Sequence, residues 1–201
     1  IEAQGTAATL TIEDNSTGKT GKIISNHYGL TASDGGNLVV NSGTIETGDG
    51  AALSGNNQTG DMNLTVNGGT LTTNLGPAIY MPSEVNLTIT DGIINGGVSL
   101  RMGQVNISGG TINAQGVGGG AGIGGGKNSS GATKIDISGN ALVYAHGNDG
   151  AAIGSGESSA GETTITIHDT TAEKGVKSAF AYNGAGIGSG HYASGKTHIT
   201  I

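Results

Sequence analysis

The chain has 201 residues, of which 41 are Gly, one is Phe and none is Trp or Cys. No disulfide or Cys-ligated metal site can therefore form, and no bulky aromatic core is on hand. A formal charge of −7, with seven Lys and one Arg, excludes nucleic acid and an anionic membrane surface as partners, and no apolar run has membrane-spanning length.

The glycine content follows no Gly-X-Y period, which excludes collagen, and regular Ile, Val and Thr clusters argue against disorder. The first predicted element, Leu10-Thr11-Ile12, alternates apolar and polar residues before a turn. The same triplet recurs ending at Val40, Val66, Ile89, Ile107, Ile137, Ile167 and Ile201, at steps of 28, 26, 23, 18, 30, 30 and 34 residues. In a strand the outer two residues of each triplet point to one face. Leu10/Ile12 through Ile199/Ile201 would then point inward. Thr11, Thr65, Thr88, Asn106, Asp136, Thr166 and Thr200 would point outward, with Val39 the exception.

A second short strand follows the turn at residues 43–47, 69–73, 110–114 and 141–145. A third carries the Gly-rich copies "GDGAALSG" (48–55), "GGGAGIGGG" (118–126), "NDGAAIGSG" (148–156) and "NGAGIGSGH" (183–191). Its inward residues are Leu53, Ile79, Leu100, Ile123, Ile153 and Ile187. Three strands and three turns per repeat predict an all-β fold: a single-stranded parallel β-helix, triangular in section, of about seven to eight coils spaced roughly 4.8 Å apart. The preference of parallel connections favours the right hand. Residues 1–201 are expected to form one domain, and because the uncapped strand "THITI" ends the sequence, it is expected either to be a segment of a larger protein or to have that end covered by a partner. It is expected to be monomeric or end-stacked within a longer chain.

The runs "GGTINAQGVGGGAGIGGG", "SGNALVYAHGNDGAAIGSG" and "AYNGAGIGSG" resemble the Gly-Ala-Gly-Ile-Gly repeats of large bacterial cell-surface proteins. They are similar to the pectate-lyase-like right-handed β-helix family, including a clostridial cellulose- and pectin-binding module. The close resemblance covers residues 105–201. It implies an extracellular, secreted or wall-attached bacterial location, with which the lack of Cys agrees. The repeats are unspecific for ligand and activity; with no catalytic pair in the sequence, the expected function is a non-catalytic adhesin module whose partner is a polysaccharide or a host or plant glycan. An enzyme acting on acidic polysaccharide and a purely structural stalk are the alternatives.

Several candidate sites are testable on the residues. The Gly-rich copies lack the helix and Lys-Ser/Thr ending of a phosphate loop, so they read as scaffold corners. A lyase needs a basic residue among clustered acids, and the one Arg, Arg101, stands in the shortest coil without them. A glycosidase needs paired carboxylates, and Asp91 and Asp169 share a turn position three coils apart. Tyr144, His146, Tyr182, His191 and Tyr192 flank the third strand of the last coils, and their rings suit stacking on sugar faces. Asp49, Asp149 and Asn183 occupy matching turn positions and read as Asx turns. Asp149 with Glu157 is the alternative Ca²⁺ site, and no other cofactor is expected. His191 and His198 lack a third ligand at metal spacing. The sequons at Asn15, Asn57, Asn63, Asn86, Asn106 and Asn128 follow from Asn and Thr richness.

Overall fold

The computed structural model describes residues 1–55, 61–171 and 173–201, so the Asn57 sequon lies outside the described residues. Among them there is no helix; the chain is a parallel β-helix with one continuous sheet wound through three faces. Every pairing is parallel, and each strand of the inner coils pairs with the equivalent strand of the coils before and after it.

On the first face the register runs Leu10, Leu38, Leu64, Leu87, Val105, Ile135, Ile165, Ile199, as the triplets predict. The second face stacks Ile23, Ile45, Leu71, Ile94, Ile112, Val143 and Val176. The third stacks Leu30, Leu53, Ile79, Val98, Ile123, Ile153 and Ile187. Here the structure differs from the sequence reading. Val98 holds the level of Ile79 and Ile123, while Leu100, also buried, pairs with Met81 and Gly125. The short coil turns after Asn95 through only Gly96-Gly97, so its third strand starts two residues earlier than the longer coils suggest.

These columns make the core. From Leu38 to Ile165 the leading first-face column is at most 1% exposed, and each such side chain contributes about 1.5–3 kcal/mol of burial. Phe and Tyr contribute nothing to it: Tyr28, Tyr80, Tyr144, Phe180, Tyr182 and Tyr192 are all exposed. Outside, amides form ladders between coils. The Asn63 amide donates to Asn37 Oδ1 at 3.0 Å, and that of Asn67 to Asn41 Oδ1 at 3.0 Å.

The coils differ most at the third face. Two strands, Thr70–Ile89 and Ile93–Ile107, run through the corners almost without loops. In the coils that follow, the strand shrinks to Ile123–Gly125, Ile153–Gly154 and Ile187–Gly188. There the chain doubles back around the inward Ile: Ala121 N donates to Gly125 O at 2.9 Å, Ala151 N to Ser155 O at 3.0 Å and Ala185 N to Ser189 O at 2.9 Å. The "GAGIG" copies are thus pinched corners with Ile as the wedge.

Charged side chains also clip coils together, most extensively at His168. His168 follows the first-face strand Thr163–Ile167 and holds Asp169 Oδ2 at 2.7 Å through Nδ1 and Asp136 Oδ2 at 3.2 Å through Nε2. With both ring nitrogens against carboxylates, first Asp169 and then Asp136, the doubly protonated imidazolium is favoured and its pKa lies above the ordinary 6.5. A His pKa raised by folding adds stability that is complete below the unfolded value and is lost as pH rises through the folded one. Thermal melts should therefore show a midpoint that falls as pH climbs above about 6.5. His168→Gln should remove that component of the slope; an unchanged slope would place the titration elsewhere.

Candidate functional site

The loop-poor coils leave a notch between loop-bearing neighbours. Its floor is the outward side of the third face, where Tyr80 pairs in register with Ser54 on one side and Ser99 on the other. Tyr80 faces out because Ile79 and Met81, on either side of it, point into the core. One wall carries Tyr28 and the turn at Asp49; the opposite wall is the loop 117–121 together with Lys127 and Asn128. The cleft so formed encloses about 640 Å³, within the range that takes small-molecule ligands.

Two tyrosines, Tyr28 and Tyr80, and the arginine Arg101 are among its lining residues. Arg101 stands one outward position beyond Ser99, a diagonal neighbour of Tyr80, at on the order of 8 Å from strand rise and spacing. The Ser129 hydroxyl donates to the Arg101 carbonyl, which anchors that backbone. Tyr28 leans on His27 with ring centroids 5.3 Å apart, and His27 Nδ1 meets Asp49 Oδ1 at 2.5 Å. Gln115, at the cleft edge, donates from Nε2 to His146 Nδ1 at 2.9 Å, the imidazole taken as acceptor.

The residues predicted from the last coils fall into two groups. Tyr144, His146 and Tyr182 lie outward on or beside the second face, joined by Phe180, which the sequence reading left out. Phe180 pairs in register with His146, the ring centroids are 5.2 Å apart, and Tyr182 meets Phe180 edge-on at 6.2 Å. The alternation Phe180-Ala181-Tyr182 was the signal that could have found it. His191 and Tyr192 sit instead in the loop after the third strand, stacked on each other at 3.7 Å. Among the described residues they make no ring contact with the Phe180 group. Tyr192 adopts φ 56°, the same left-handed setting as Ser158 one coil back and Asn128 two coils back, so the three loops share one bend.

Asp149 and Glu157 are engaged by donors from the protein. Asp149 Oδ1 accepts from the Asn183 amide at 2.8 Å, and Glu157 Oε2 meets Lys127 Nζ at 2.8 Å. Hydrogen bonding to Glu157, with the field of both carboxylates, raises the Lys127 pKa, so the cation in that corner is an ammonium. Gly119, which stands where Asp would complete the Asx series, leaves the room: a Cβ there would lie 2.4 Å from Glu157 Oε2. Among the described residues no group of three or more His, Asp or Glu side chains is placed to hold a metal ion. Asp91 accepts from the Gly92 amide at 2.8 Å, and His198 stands 3.8 Å from Glu162.

Compared with family models, curated proteins and solved structures, the chain matches none, and its functional reading rests on this geometry.

Proposed function

We propose that the chain is a non-catalytic glycan-binding module of a secreted or wall-attached bacterial surface protein, with the cleft over the short coil as its binding site. The observation that supports this reading is the position of the aromatic side chains. A protein whose buried apolar side chains are Leu, Ile, Val, Ala and Met, and which leaves every Phe and Tyr exposed, does not use its rings to build the core. Two of those rings border the concave site, where sugar faces stack on aromatics and amide and hydroxyl groups take the sugar hydroxyls. The likeness of the Gly-Ala-Gly-Ile-Gly corners to surface-protein repeats agrees with an extracellular setting.

The test is binding to soluble oligosaccharides by calorimetry, with pull-downs on cellulose, pectin and mucin. Removing a stacked aromatic that anchors an interface typically costs more than 1 kcal/mol. Tyr28→Ala and Tyr80→Ala should each weaken binding by about tenfold. Affinity that survives both changes and falls with Phe180→Ala would move the site to the second face. Binding to no saccharide would leave a spacer.

A further inference from the structure

Resting on the reading that the cleft takes a saccharide, we infer that it selects sugars bearing an anionic group, a carboxylate or a sulfate ester, and that Arg101 is the specificity-determining residue. The chain has one arginine; it lies on the strand Ile93–Ile107, is exposed, and lines the ligand-sized cleft. The other charges bordering that cleft have partners. Asp49 is held by His27 at 2.5 Å and Lys127 by Glu157 at 2.8 Å. Arg101 has no ion-pair partner among the described residues, so its guanidinium is the uncompensated charge of the site.

A guanidinium is best matched by an anionic group that accepts two parallel N–H bonds, as carboxylates and oxyanions of phosphate or sulfate type do, because charge assistance makes these bonds stronger than those to neutral sugar hydroxyls. Position supports the same ligand. Arg101 is diagonal to Tyr80, at on the order of 8 Å by strand geometry, so one ring on Tyr80 can turn a charged substituent toward Arg101. The surrounding chain carries a net charge of −7. Polyanions are therefore not gathered by a general basic field, and recognition depends on this one short-range contact. Binding through one charge also sets a shallow salt dependence, unlike that of a basic patch.

Calorimetry on the full 201-residue chain would use three probes: neutral xylo-oligosaccharides, oligogalacturonates and chondroitin sulfate oligosaccharides. At least one anionic probe should bind tenfold or more tighter than the neutral one, and which of them does so identifies carboxylate or sulfate as the group. Arg101→Ala should bring the anionic-to-neutral affinity ratio close to one. Arg101→Lys, which keeps the charge without the fork, should recover only part of it. Lys134→Ala makes the same change in net charge on the first face and should leave the ratio as it was. Equal affinity for all three probes, or an unchanged ratio in Arg101→Ala with a retained melting midpoint, overturns the inference while the glycan reading stands. Binding to none of them overturns the inference, and failure on cellulose, pectin and mucin as well overturns the glycan reading.

Discussion

Gly154→Ala is expected to destabilise the chain by roughly 3–5 kcal/mol, lowering its thermal midpoint by about ten degrees or more. Two costs combine. Gly154 has φ 143°, where an L side chain is strained, and its Cβ would stand 1.8 Å from the carbonyl oxygen of Gly188 in the next coil. The obstacle is backbone held in register by Ile153 and Ile187, so relief means separating two coils. Gly118→Ala is the control. Gly118 also has positive φ, 60°, but a Cβ there meets nothing within 4 Å. It should lose only about 1–2 kcal/mol. Equal losses at the two positions would mean that dihedral strain, not close packing of coils, fixes the glycines of the corner.

That contrast explains how much of the molecule could be read from its sequence. The first face was legible because its eight triplets obey a period of two, and a one-residue slip would turn each buried Leu or Ile outward. The Gly-rich copies announced a repeat but hid its geometry. Alternation says nothing about a chain that doubles back around one Ile. The register at Val98 was missed because it depends on how tightly Gly96-Gly97 turns.

The site was half visible. The aromatic residues of the last coils were picked out, and the structure does gather Tyr182 and His146 around Phe180. Tyr28 and Tyr80 passed unnoticed because they lie far apart in sequence and come to line one cleft only through stacking of coils. A signal existed: the 18-residue step between Ile89 and Ile107, flanked by longer coils, leaves no material for loops over the third face. A missing loop in a stack is a cleft. Arg101 was noted in that coil and set aside for want of acidic neighbours, a test suited to a lyase and silent about a binding site.

Ile165→Ala should cost about 2–5 kcal/mol, while Ile199→Ala, the same residue in the same column one coil later, should cost less than about 1 kcal/mol. Ile165 is fully buried between Ile135 and Ile199; Ile199 has Ile165 on one side and is 45% exposed. Truncating Ile165 leaves a cavity that its neighbours, tied to the sheet above and below, can close only in part. Truncating Ile199 removes apolar surface that water already reaches. In a solenoid, stability is close to a sum of coil and nearest-neighbour terms. The gradient should therefore appear twice, as a larger drop in melting midpoint for Ile165→Ala and in hydrogen exchange. Amides of Thr197–Thr200 should exchange by local opening in the unmodified chain, while those of Thr133–Ile137 require far more extensive opening. Equal costs for the two variants, with uniform protection along the first face, would show that all coils unfold as one unit and that the last is as firmly held as the middle.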